Sequence, residues 1–126
     1  MIFILEPDVI LAKQYAIVVQ KQGLKAKFFA DPQTAIEAIE QAIPQAIVLE
    51  LQLAPLSGVS LLQELRSYED LATIPVIVYS NVPQESFGVS ASQWRQYGVA
   101  DYFYKPQTSP SVVFSRVATR ISENKK

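Results

Sequence analysis

The chain has 126 residues, with 12 acidic and 11 basic side chains for a formal net charge of −1, and 49% of its residues are hydrophobic. That length suits one domain spanning 1–126, and that apolar content provides a core and sets disorder aside. Charges of both signs spread along the chain leave no nucleic-acid footprint. With no Cys and no His, disulfides, thiol chemistry, the commonest metal ligand and the commonest general base are all excluded.

The apolar stretch from Ile2 to Leu5 is interrupted by Glu6, Pro7 and Asp8, with no basic stretch before it. This predicts a first strand over about 2–6 and no signal peptide. A helix follows over about 9–22, with Asp8 as its N-cap and Gly23 just past its end. Alternation in Leu24-Lys25-Ala26-Lys27-Phe28-Phe29 predicts an edge strand with one wet face. Asp31 and Pro32 open the second helix as N-cap and first residue, and Pro44 marks the loop beyond it. A third strand is predicted over about 46–50. A third helix over about 58–68 places Val59, Leu61, Leu62 and Leu65 at helical spacing. The fourth strand, about 75–79, is apolar throughout, as a strand buried on both faces is. Between 84 and 97, three serines and Gly88 dilute helical propensity, so helix is expected only in the second half. A fifth strand over about 101–104 precedes Lys105-Pro106. Ser109 and Pro110 then open a last helix to about Ile121, leaving 122–126 as a frayed tail. No stretch approaches the roughly 20 apolar residues of a membrane span, so a soluble, cytoplasmic chain is expected.

Strict alternation of strands and helices with right-handed crossovers predicts an α/β fold. It is a three-layer α/β/α sandwich around a five-stranded parallel sheet, in the flavodoxin-like order 2-1-3-4-5. In that order the strands end on one edge in Glu6, Glu50, Ser80 and Lys105, and open α/β sheets place their sites on that edge.

Four stretches in register with these strand ends carry a family resemblance: Ile4-Leu5-Glu6-Pro7-Asp8; Ile47-Val48-Leu49-Glu50 with Gly58 eight residues on; Ile74-Pro75-Val76-Ile77-Val78-Tyr79-Ser80; and Gly98 through Asp101-Tyr102 to Lys105-Pro106. Together they resemble the CheY-like receiver domain of two-component response regulators over nearly the whole chain. The resemblance implies a phosphoacceptor pocket in which an acidic pair after the first strand binds Mg²⁺. An Asp ending the third strand takes a phosphoryl group from a histidine kinase, and a hydroxyl and a Lys ending the fourth and fifth strands contact that group. Ser80 and Lys105 match these positions, and Tyr102 matches the aromatic switch position.

The departures fall on the chemistry. Glu6 keeps one acid of the pair and Pro7 replaces the other, while Glu50 stands at the phosphoacceptor position. Its extra methylene carries the carboxylate roughly 1.5 Å further, and displacements near 1 Å cost on the order of 100-fold where in-line geometry matters. Mg²⁺ demands near-octahedral geometry, so its binding is expected to be weak or absent, with no cofactor otherwise. Asn81 takes the place of a small residue and crowds the phosphoryl entrance. The pattern implied is a degenerate pocket, a pseudo-receiver.

Glu50 reads either as a permanent mimic of the phosphorylated state or as a partner that neutralises Lys105. The second is simpler, because one carboxylate carries one charge and a phosphoryl group about two. Asp8 reads as a helix cap, with a surrogate metal ligand as the alternative. The first helix is apolar nearly all round, so part of it must reach the surface; Val9, Ala16 and Ile17 are the candidates for an interaction patch. Phe87 and Trp94 are further candidates, with Trp94 either anchoring a contact or packing on the sheet. The leading expectation is a stand-alone signalling protein acting through phosphorylation-independent protein–protein interaction. A histidine kinase, another signalling protein and a second copy of the chain are the candidate partners, with no nucleic acid and no membrane. The alternative is a phosphorelay receiver using an atypical acidic site, Glu50 or Asp8. A small-molecule sensor carries little weight without a Gly-rich phosphate loop. Enzymatic catalysis carries less, with no paired nucleophile and base.

Overall fold

Along the first strand, β1 (Ile2–Leu5), all four side chains are buried, and they alternate between two separate cores. Ile2 and Ile4 face one side of the sheet; Phe3 and Leu5 face the other, as the two-residue repeat of a strand requires. The computed structural model describes residues 1–53, 58–71 and 73–124. Its other strands are β2 (Ala26–Phe29), β3 (Ile47–Leu49), β4 (Val76–Ser80) and β5 (Val99–Tyr104). All pair in parallel, in the order β2-β1-β3-β4-β5. The expected architecture is therefore the observed one, and β2 is an edge strand with an exposed Lys27.

Among the described residues each strand is followed by a helix: α1 (Val9–Lys21), α2 (Pro32–Gln41), α3 (Gly58–Arg66), α4 (Ala91–Gln96) and α5 (Pro110–Asn124). Tyr15 and Val19 of α1 join Phe114, Val117 and Ile121 of α5 over Ile4, Val48 and Ile77. On the opposite face Ile36 and Ile39 of α2, Leu61 and Leu65 of α3, and Trp94 of α4 cover Phe3, Leu49 and Val78. Among the described residues no helix is long and apolar enough to cross a membrane.

Local signals set the helix ends. Asp8 Oδ1 accepts from the N–H groups of Ile10 at 2.9 Å and Leu11 at 3.2 Å, satisfying two donors that the first turn leaves unpaired. Gly23, at φ 72°, ends α1 in the left-handed conformation that a side chain would resist. Asp31 caps α2 through the Thr34 N–H at 2.9 Å, with Pro32 in its first turn. Ser90 and Gln93 form a reciprocal capping box at α4. The stretch before it forms only a short 3-10 turn, Gln84–Phe87, so helix is confined to the second half as expected. The frayed tail is corrected. α5 continues to Asn124 because Ile121 is buried against the sheet and Arg120 reaches Glu123 at 3.4 Å; the last two residues of that tail lie outside the described residues.

Candidate functional site

At the C-terminal edge of the sheet the ladder itself places the two acids. The Glu6 N–H donates to Phe29 O at 2.9 Å, and the Glu50 N–H donates to Leu5 O at 3.1 Å. Each glutamate thus leaves its strand with a fixed backbone, and its side chain turns in over the ends of β1 and β3. Lys105 follows β5 and opens a 3-10 turn, Lys105–Gln107. That turn is tied down by the Tyr79 hydroxyl, which donates to Thr108 O at 2.6 Å.

Lys105 reaches back between the two carboxylates. Its Nζ lies 2.5 Å from Glu6 Oε1 and 2.9 Å from Glu50 Oε1, with the three side chains only 8%, 3% and 4% exposed. Sequence reading had paired Lys105 with Glu50 alone. Two carboxylates around one ammonium leave a negative charge over, and hydrogen-bond donors surround it. Glu6 Oε1 also accepts from the Tyr15 hydroxyl at 3.2 Å, and Glu6 Oε2 from the Asp8 N–H at 3.1 Å. Glu50 Oε1 accepts from the Asn81 N–H at 3.2 Å, and Glu50 Oε2 from the Gln52 N–H at 3.0 Å. Every oxygen of both carboxylates therefore has a protein donor, which is what lets charged groups stay buried.

The electrostatics follow. Burial pushes the Glu50 carboxyl upward, but the Ser80 hydroxyl, the Lys105 ammonium and the Gln52 N–H prevail and hold it below its ordinary value. Burial, then the charge of Glu6, raises the phenols of Tyr15 and Tyr79. The Tyr102 phenol is pushed up to about 12 by burial, with Glu50 and Glu85 adding and Ser80 opposing.

Ser80 is fully buried at the end of β4, and its Oγ accepts from the Val82 N–H at 3.1 Å. Tyr102 donates from its hydroxyl to Val82 O, and its ring packs 5.5 Å from Trp94 and 6.5 Å from Phe87. Pro7 and Asp8 lie on the surface, Asp8 occupied as the α1 cap. Asn81 is exposed and lines a cleft of about 530 Å³ beside Lys105, Tyr79, Gln14 and Thr108. Among the described residues, no three acidic side chains cluster to share a cation.

On the outer faces, Val9, Ala16 and Ile17 are exposed, as is Ile10, which the sequence reading had not singled out. Of the two readings of Trp94, packing on the sheet is the one observed. Trp94 is only 3% exposed, because the capping box turns α4 so that the indole enters the core edge-on to Phe87 and Tyr97. Phe87 is half-buried in the same aromatic cluster, so neither is a free surface anchor. Two tyrosines of the pocket's second layer, Tyr15 and Tyr79, were missed. The available signal was a lone phenol on the buried stripe of an otherwise aliphatic helix. Asp101 was missed as well; it receives Arg116 at 3.1 Å and Arg120 at 2.8 Å and ties β5 to α5.

Similar proteins carry this arrangement into a family. The chain is 28% identical over 89 residues to a protein-glutamate methylesterase/protein-glutamine glutaminase of Treponema denticola, covering 71% of this chain and 23% of that protein. It is 23% identical over 123 residues to the DNA-binding response regulator MtrA of Mycobacterium tuberculosis, covering 98% of this chain and 51% of that one. The chain thus spans about half or less of the length of these relatives. The crystal structure of a sensor protein from Polaromonas sp. JS666 has the same fold, with a TM-score of 0.85 at 22% identity, covering 97% of this chain and 95% of that one. With the model for the response regulator receiver domain matching residues 2–117, from the first strand into the last helix, the chain belongs to the response regulator receiver family.

Proposed function

We propose that this receiver domain is a pseudo-receiver, which passes a signal by binding other proteins without being phosphorylated. The observation that carries this reading is the position of Lys105 Nζ between Glu6 and Glu50, with all four carboxylate oxygens already accepting hydrogen bonds. Oε1 of Glu50 is held by Lys105 and the Asn81 N–H and Oε2 by the Gln52 N–H, and the side chain is only 4% exposed, which opposes its use as a nucleophile. The pocket does not fit a resident Mg²⁺ either. An ammonium stands between the two acids, Pro7 supplies no ligand, and Asp8 is committed to capping α1. In this reading neither a metal nor a phosphoryl group takes part in the signal.

In this reading Glu50 and Glu6 neutralise Lys105 and hold the strand ends together, while Tyr102 keeps one inward rotamer through Val82. The outward signal comes from the exposed apolar side of α1, where Val9, Ile10, Ala16 and Ile17 meet solvent, and its partners are protein surfaces.

Incubation with acetyl phosphate and Mg²⁺, or with an active histidine kinase, followed by intact-mass measurement, tests the proposal. The expected result is an unchanged mass. A stoichiometric gain of one phosphoryl group overturns it and restores the phosphorelay reading, with Glu50→Gln and Asp8→Asn locating the acceptor.

A further inference from the structure

The near-neutral net charge hides a division along the chain that folding turns into two faces. From Phe28 to Trp94 there are eight acidic residues and one basic residue, a net −7; the rest of the chain holds four acidic and ten basic residues, a net +6. The acidic stretch includes α2 and α3 on one face of the sheet. Of the basic residues, Lys13, Lys21, Lys27, Arg116 and Arg120 lie on α1, β2 and α5, and α1 and α5 cover the other face.

Two unpartnered surfaces mirror this division. On α1, Ile10, Lys13, Ile17 and Lys21 recur at helical spacing along the outward side, with Ile10 and Ile17 exposed by 69% and 55%. Ile17 has a lysine one turn before it and another one turn after. On the opposite face of the molecule, α2 and the 3-10 turn Glu69–Leu71 enclose a groove of about 140 Å³ walled by Ile39, Ile43, Tyr68 and Leu71, with Glu40 and Asp70 at its rim. Ile43 and Tyr68 remain 54% and 42% exposed. None of Lys13, Lys21, Glu40 and Asp70 forms an ion pair among the described residues. An aliphatic cavity of roughly 150 Å³ accommodates a group the size of benzene, so this groove has room for one large apolar side chain.

We propose that the α1 stripe of one copy seats in the α2–α3 groove of a second copy, with Ile17 filling the groove and Lys13 and Lys21 meeting Glu40 and Asp70. The second copy is the occupant because the chain itself carries the complement of its own groove, an apolar residue between two unpaired bases. The two surfaces differ and lie on opposite sides of the sheet, so the contact is head-to-tail and the pair keeps one free stripe and one free groove. Such contacts propagate into chains or close into rings, unlike a two-fold dimer. The inference is independent of whether the pocket is phosphorylated.

Sedimentation velocity of the wild-type chain tests it. The weight-average mass is expected to rise with protein concentration. It should fall back as ionic strength goes from about 0.01 M to about 1 M, where the screening length shrinks from roughly 30 Å to roughly 3 Å. Ile17→Glu removes the stripe and Asp70→Lys reverses the rim of the groove; both positions are exposed, and circular dichroism melts check that both variants fold. Each variant alone is expected to be monomeric. An equimolar mixture forms a one-to-one dimer and nothing larger, because Ile17→Glu keeps a working groove and Asp70→Lys a working stripe. A wild type that is monomeric throughout overturns the proposal and leaves the groove to a different protein. Self-association of Asp70→Lys, or a mixture that stays monomeric where the wild type associates, also overturns it, the former in favour of pairing between α1 helices.

Discussion

The hydroxyl of Tyr15 donates to Glu6 Oε1 at 3.2 Å, and that oxygen is the one nearest the Lys105 ammonium. A helix that packs against the sheet therefore also completes the ion cluster at the sheet's edge. The Tyr15 ring stacks within 5.4 Å of Tyr79 and 5.8 Å of Phe114, so the hydroxyl can be removed without disturbing the packing. Tyr15→Phe is expected to cost about 1 kcal/mol, the net worth of one hydrogen bond to a buried acceptor. Urea unfolding measures it, and a variant as stable as the wild type denies the phenol its part in the cluster.

Glu50→Gln keeps the shape of the side chain and removes its charge. Lys105 retains Glu6, so the loss is expected to be about 1–3 kcal/mol, below the roughly 3–5 kcal/mol of orphaning one member of an isolated buried pair. The melting temperature should fall while partner binding through α1 persists. An unchanged melting temperature would show that the pair with Lys105 adds nothing to stability.

The acid side of the stability curve follows from the same carboxylate. The folded-state pKa of Glu50 lies below its unfolded value. Its contribution is therefore fully present above the unfolded value, near pH 4.3, and is lost as pH falls through the folded one. Asp101, lowered by Arg120 and Arg116 against the upward push of burial, acts in the same direction. Unfolding free energy should be nearly level from about pH 5 to 8 and decline below about pH 4.5. Urea denaturation across this range should give a shallower acid limb for Glu50→Gln than for the wild type; superimposable limbs would remove Glu50 from the titration.

Gly58 opens α3 against the loop after β3, its N–H donating to Leu51 O at 2.9 Å. A Cβ placed there would lie 2.5 Å from Leu51 Cα and from Leu51 Cδ2, so either the loop or the helix has to move. Gly58→Ala is expected to destabilise by about 1–3 kcal/mol, the usual cost of overpacking a close contact. Thermal unfolding checks it, and a neutral result would mean that α3 shifts freely.

Much of the architecture was readable because its determinants are local. Asp8 and Asp31 mark helix starts through hydrogen bonds spanning two or three residues, and Pro32 through its fixed φ and missing N–H. Apolar strand stretches ending in Glu6, Glu50, Ser80 and Lys105 declare where each strand leaves the sheet. Trp94 stayed open between a surface contact and packing on the sheet for the opposite reason. Periodicity in a six-residue helix diluted by serines does not say which side faces inward, and that was decided by the capping box and by the hole between Phe87, Tyr97 and Tyr102.

By itself, the sequence determined the order of elements and the identity of the four strand-end residues, Glu50 among them, because each rests on residue type and short spacing. Only the tertiary structure decided that Lys105 is shared between Glu6 and Glu50 and that Tyr15 joins them. Lys105 and Glu6 are 99 positions apart, and they meet because the sheet order sets β1 beside β3 and β5 two strands beyond. The separation of acidic and basic faces is likewise a product of folding. Crossover connections send α1 and α5 to one side of the sheet and α2 and α3 to the other, so the acidic middle of the chain and its more basic ends become opposed across the molecule.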